Sequence, residues 1–217
     1  MAVLAIAHRA GNTLAGLHAA NELGVDVIEC DVHTYRGRLE VRHLKTAGPL
    51  PFLWDSWELR SASAPRLGLH ELFEADQHGT LFMLDLKGPW TWAGRDVARM
   101  LHAGGHHRPV LACGRWWPSI DAMAHLPYVL PVLSARNRFE WARLQRRLRH
   151  GPRPYGVSVH RALLDRPRVT ELLRHVELVM TWPVNDLDTL DAVLEIGVNG
   201  VISDEEHVLT EVRARAH

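Results

Sequence analysis

Apolar positions along the chain follow two alternating patterns. Short, nearly continuous apolar runs give way to longer stretches in which apolar residues recur at helical spacing. The runs lie at 3–8, 26–32, 80–87, 109–113, 128–134, 155–160, 177–183 and 199–203, and read as buried β-strands. The helical stretches lie at 12–24, 67–76, 92–104, 119–125, 138–149, 166–175, 186–197 and 206–216. A further β-rich segment, 39–43 (LEVRH), follows Tyr-Arg-Gly and reads as the return arm of a turn after the second strand. Strands apolar on both faces and followed by helices predict a parallel sheet under a helical cover. Eight such repeats in 217 residues predict an α/β fold, a (β/α)8 TIM barrel, as one compact domain over 1–217. An open doubly wound sheet fits less well, because no glycine-rich phosphate loop follows the first strand. The longest stretch without periodicity, 45–65, is rich in turn residues and tryptophan and reads as a long connection.

Polar residues interrupt this pattern in few places, and mostly at strand ends. The second strand, VIECDV, carries Glu29 and Asp31 two residues apart. In a strand such a pair shares one face, with Cys30 on the other. Adjacent buried carboxylates repel unless a cation sits between them. The other strand ends hold His8 and Arg9, Asp85 and Lys87, His160, Trp182 with nearby Asn185, and Asp204, while His43 ends the return arm. Asp204 also suits an N-cap for the last helix, and Asp85 with Lys87 suits a structural ion pair. Barrel enzymes place their chemistry at the C-terminal ends of the strands. Three carboxylates, two histidines and two cations converging on that rim favour chemistry over structure. The three oxygen donors suit a hard divalent cation, Mg²⁺ or Ca²⁺, rather than zinc. Arg9 and Lys87 suit an anionic substrate, and a phosphate best because the cation needs an oxygen to bridge to. His8 and His43 are then available as general acid and base near neutral pH.

Composition narrows the partners. The chain is 47% hydrophobic and 23% charged with formal net charge +0, so no broad cationic field attracts nucleic acid or anionic lipid. No apolar run is long enough for a membrane-spanning helix, and MAVLAIAH is too short for the core of a signal peptide. Cys30 and Cys113 sit in apolar runs and read as buried free thiols, which points to a reducing compartment and a cytoplasmic protein. Six of the eight tryptophans cluster in FLWDSW, PWTW and RWWP, segments that offer an exposed contact patch.

The segments AHRAGNTLAGLHAANELGVDVIECDV, LEVRH, MLDLKG, TWPVND and GVNGVISDE, taken in order, resemble the glycerophosphodiester phosphodiesterase family along essentially the whole chain. The resemblance implies that Glu29, Asp31 and Asp85 bind one divalent metal ion. It makes His8 and His43 the acid/base pair, has Arg9 and Lys87 grip the phosphate, and lines the alcohol or glycerol pocket with Trp182. The implied substrate is a small phosphodiester, cleaved to an alcohol and sn-glycerol 3-phosphate. A glycerol hydroxyl next to the phosphate attacks phosphorus; one histidine removes its proton and the other protonates the departing alcohol.

The chain departs from the family pattern at four positions. Ala10 stands for the glycine after His-Arg, and Gly11 for the glutamate before Asn-Thr. Leu44 replaces the aspartate that usually follows the second histidine, and Asp85 is one methylene shorter than the usual glutamate. Leu44 removes one expected partner of His43. The aspartate at the third ligand position also resembles sphingomyelinase D and phospholipase D toxins, which are secreted and disulfide-bonded. A barrel that binds a phosphodiester without turnover is the remaining alternative. Metal-dependent release of glycerol phosphate from a deacylated lipid, against release of a head-group alcohol from an intact one, separates the readings.

Overall fold

The computed structural model describes residues 3–46, 50–55, 58–105 and 107–215. Eight parallel strands close on themselves: β1 (Leu4–Ala7), β2 (Val27–Tyr35), and, after an excursion of four short strands, β7 (Leu81–Leu86), β8 (Val110–Cys113), β9 (Val129–Ala135), β10 (Gly156–His160), β11 (Leu178–Trp182) and β12 (Gly200–Ser203). β12 pairs with β1 and β1 with β2, which completes the ring. Helices α1 (Leu14–Leu23), α2 (Leu69–Ala75), α3 (Trp92–Ala103), α4 (Trp117–Asp121), α5 (Arg138–His150), α6 (Arg166–Leu173), α7 (Leu187–Glu195) and α8 (Glu206–Arg215) follow the strands in turn. The chain is therefore the (β/α)8 barrel that its alternation of patterns predicts.

The strands divide their side chains between two cores. Ile6, Val27, Met83, Leu111, Val132, Leu178, Met180 and Ile202 point inward and fill the lower barrel. Ala5, Ile28, Cys30, Phe82, Leu84, Ala112 and Val157 point outward into the layer shared with the helices. Because successive residues alternate, the inward set continues upward from Ile6 to His8, from Val27 to Glu29 and Asp31, and from Met83 to Asp85 and Lys87. An apolar floor thus passes into a polar rim at the C-terminal ends. Cys30 faces the helices as expected, while Cys113 faces the barrel interior.

Several boundaries differ from the sequence expectation. The second strand runs on to Tyr35 and folds back through a two-residue turn. Both turn residues, Arg36 and Gly37, take positive φ of 49° and 78°, as a tight hairpin with right-handed twist requires. The return arm is β3 (Arg38–Val41), antiparallel to β2, and it leaves His43 just beyond its end. The fourth helix begins at Trp117 and closes at Asp121, earlier than 119–125, because Pro118 suits a first turn. The segment 45–65 is not a plain connection: β4 (Lys45–Thr46), β5 (Phe52–Asp55) and β6 (Glu58–Ser61) form a separate antiparallel sheet. Residues 47–49 and 56–57 of that segment lie outside the described residues.

The first βα connection is tightened by the departure at Gly11. A Cβ there would stand 2.8 Å from Cys30 Cβ and 3.2 Å from the Glu29 carbonyl oxygen. A glutamate cannot occupy this position without lifting the loop off β2. Gly11→Ala is expected to cost about 1–3 kcal/mol by overpacking. Thermal unfolding should show it as a Tm lowered by roughly 2–4 °C per kcal/mol.

Candidate active site

The register of β2 against β7 builds the centre of the site. Asp31 lies directly opposite Asp85, and Glu29 opposite Met83, so the three carboxylates converge on one inner face. One oxygen from each of Glu29, Asp31 and Asp85 falls within 4.8 Å of the others. Glu29 and Asp31 are almost fully buried, at 2% and 1% exposure.

Each carboxylate is held by a neighbour in the chain or across the barrel. Arg9 takes a left-handed φ of 57°, uncommon for a residue with a side chain, which turns its backbone N–H onto Glu29 Oε2 at 2.6 Å. Asn12 clamps Asp31 twice: its amide donates to Asp31 Oδ2 at 2.9 Å, and its oxygen accepts from the Asp31 N–H at 2.8 Å. The Lys87 ammonium lies 2.5 Å from Asp31 Oδ1 and also pairs with Asp85. Lys87 thus sits against the acids rather than away from them. The Arg9 guanidinium approaches Asp31 Oδ2 at 3.8 Å.

The charges act on one another through the low dielectric of the barrel. Burial, and then the neighbouring Asp31 charge, push the Glu29 carboxyl up to about 8. Burial would raise Asp31 too, but the Lys87 ammonium and the Asn12 hydrogen bond outweigh it and hold Asp31 down at about 2. Lys87 is pushed the other way: burial lowers it, and the three carboxylates together raise it well above its ordinary range. Cys113, on the same inner face, is driven up to about 12 by burial and Asp85, and its thiol is engaged with Ser134.

Both histidines stand beside this cluster with carboxylates behind them. His8 places Nδ1 2.8 Å from Asp204 Oδ1. Burial pulls the His8 imidazole down, but the Asp204 hydrogen bond and the charges of Glu29 and Asp204 outweigh it and raise its pKa. Asp204 therefore serves His8, which overturns its role as a helix cap, and Asn185 hydrogen-bonds it. His43 arrives through the β2–β3 hairpin, whose pairing brings the Arg42 N–H to the Asp31 carbonyl. Its Nδ1 lies 3.3 Å from Asp31 Oδ2 and its Nε2 lies 2.8 Å from Asp55 Oδ2. Asp55 belongs to β5, so the small sheet supplies the partner that Leu44 does not. Trp182, at the end of β11, packs on the interior cluster and meets His160 edge to face at 5.1 Å.

The structure therefore brings Glu29, Asp31, Asp85, His8, His43, Arg9 and Lys87 together, with Trp182 on the same inner wall. Sequence reasoning left out Asn12 and Asp55, and named Asp204 at a strand end with a helix cap as its alternative role. Asn12 lies inside the quoted AGNT segment, so a signal for it existed. Asp55 carried none, being one of two acids in an aperiodic stretch. The donor set fits a hard divalent cation: all three groups offer carboxylate oxygen, and burial first and the Asp31 charge second raise Glu29 in spite of Lys87.

The sequence matches no protein-family model and no curated protein. Its three-dimensional likenesses are extensive. An Oleispira antarctica phosphodiesterase, solved in complex with the product sn-glycerol-3-phosphate, superposes with a TM-score of 0.73 at 18% identity, covering 96% of both chains. A Thermotoga maritima glycerophosphodiester phosphodiesterase gives 0.71 at 17% identity over 98% of this chain and 99% of that one. One from Agrobacterium tumefaciens gives 0.68 at 17% identity over 99% and 100%. Across its whole length the chain has the (β/α)8 fold that these glycerophosphodiester phosphodiesterases adopt.

Proposed function

We propose that the chain is a metal-dependent glycerophosphodiester phosphodiesterase, which cleaves glycerophosphodiesters to an alcohol and sn-glycerol 3-phosphate. The observation that carries this is the cluster of Glu29, Asp31 and Asp85 with a carboxylate-backed histidine on each side. The fold shared with such enzymes, and the product held by the Oleispira protein, support it.

Glu29, Asp31 and Asp85 would hold one Mg²⁺ or Ca²⁺, and that cation would stabilise the charge that builds on the phosphoryl oxygens. The remaining work falls to side chains of the chain itself. Arg9 and Lys87 supply positive charge for the phosphate, and Trp182 offers an apolar wall for the glycerol or alcohol. His8 and His43 divide the proton transfers: one takes the proton of the attacking glycerol hydroxyl and the other gives a proton to the departing alcohol, and water then opens the resulting cyclic glycerol phosphate to sn-glycerol 3-phosphate. Asp204 and Asp55 fix the ring orientation and tautomer of these imidazoles by binding the nitrogen that faces away from the reaction.

We place the enzyme in the cytoplasm, on the ground that Cys30 and Cys113 are both buried free thiols. No helix among the described residues is long and apolar enough to cross a membrane. The test is release of glycerol 3-phosphate from glycerophosphocholine. Hydrolysis should require a divalent cation and stop on addition of EDTA. Turnover that persists in EDTA would refute this function.

A further inference from the structure

The exposed apolar surface is distributed very unevenly. Every one of the nine large apolar side chains exposed among the described residues lies between the end of a barrel strand and the first turn of the next helix. That is the face on which the carboxylates and histidines open. None lies on the opposite face, where helices lead back into strands.

Four of the nine come from three successive connections, after β7, β8 and β9. Trp90 and Trp92 are 61% and 60% exposed and stack on each other at 5.6 Å. Trp116 and Phe139 follow, the latter 80% exposed although it stands on a helix that could have buried it. The charges in these connections, beyond Lys87 of the site, are Arg115, Arg136 and Arg138, and the one acid in the helix turns that follow, Glu140, is nearly buried. Arg115 is paired with Glu140. No ion pair is recorded for Arg136 or Arg138 among the described residues. Bare aromatic side chains interleaved with unpaired arginines match the interfacial zone of an anionic bilayer, where amphipathic rings settle at head-group depth and cations meet lipid phosphates.

We infer that this aromatic and basic rim docks the enzyme on an anionic lipid surface, with the active site facing the bilayer. Trp90 lies three residues beyond Lys87, so the docked patch borders the carboxylate cluster directly. The substrate favoured there is a phosphodiester that still carries an acyl chain and is drawn from the surface. This substrate preference rests on the phosphodiesterase function proposed above; the docking does not.

The test is cosedimentation of the full chain with large unilamellar vesicles of phosphatidylcholine, alone and mixed with phosphatidylglycerol. The chain should pellet with the mixed vesicles and not with phosphatidylcholine alone. Trp90→Ala, Trp92→Ala and Phe139→Ala combined should weaken the partition by roughly tenfold or more. Arg136→Gln with Arg138→Gln should weaken it as well, and both variants should cleave soluble glycerophosphocholine at the unaltered rate. Hydrolysis of lysophosphatidylglycerol in the mixed vesicles should fall with the partition. Vesicle binding without hydrolysis of either substrate would uphold the docking and refute the phosphodiesterase function. Failure to pellet with mixed vesicles, or pelleting that the substitutions leave unchanged, would overturn the docking. So would a concentration-dependent dimer that the aromatic substitutions abolish, which would assign the patch to a second copy of the chain.

Discussion

Glu29→Gln is expected to lower kcat/KM for glycerophosphocholine by about a thousandfold or more, and to remove tight binding of the divalent cation. A cation that stabilises transition-state charge contributes several kcal/mol, and each 1.4 kcal/mol is a factor of ten. The glutamine keeps the shape of the side chain and its contact with the Arg9 N–H, so loss of folding does not account for the result. Titration calorimetry with Mg²⁺ and Ca²⁺ gives a readout independent of turnover. Retention of wild-type affinity for both ions would exclude Glu29 as a ligand.

The same substitution has a thermodynamic signature. In the metal-free chain the Glu29 carboxyl is raised from 4.5 to about 8. A group whose folded pKa lies above its unfolded value adds stability that is fully present below the unfolded pKa. It is lost as pH rises through the folded pKa. The metal-free wild type should therefore lose stability between pH 4.5 and about 8, and Glu29→Gln should show a flatter Tm across that window. A cation at about a hundred times its Kd should restore about 2.7 kcal/mol to the wild type and none to the variant.

The distribution of charge along the sequence explains how much of this was legible. Closely spaced, nearly continuous apolar runs need both faces covered, so the eight strands and the barrel followed directly from the pattern. The i, i+2 acids in VIECDV announced the site because no apolar strand tolerates them without a cation. The sheet of β4 to β6 escaped because its strands are short and largely exposed, so burial imposes no period on them. The carboxylate partners of the histidines escaped for a different reason. His8 and Asp204 are 196 residues apart, and they meet only because β12 closes against β1. Asp55 reaches His43 only through a hairpin and a second sheet, neither of which leaves a local signal. The departures at Gly11 and Leu44 also change meaning in three dimensions. The first allows close packing on β2, and the second is offset by Asp55.

His8→Ala is expected to reduce kcat by roughly 10²–10⁴, the range for loss of a positioned general acid or base. Asp204→Asn separates positioning from proton transfer. The asparagine can still engage Nδ1, but it removes the charge that favours the imidazolium. The pKa of His8 is raised in the wild type against the effect of burial, by the hydrogen bond to Asp204 and by the charges of Glu29 and Asp204. Removing one of these must lower it. The limb of the pH–rate profile that belongs to His8 should therefore move to lower pH in Asp204→Asn, whether His8 acts as acid or as base. His43 has its own partners in Asp31 and Asp55, so the other limb should stay in place. A variant that loses rate with both limbs unmoved would show Asp204 to be a structural support only. Movement of the His8 limb alone would identify the His8–Asp204 pair as one of the two proton-transfer units. The second unit would then be His43, and Asp55→Asn should lower kcat while leaving the His8 limb in place.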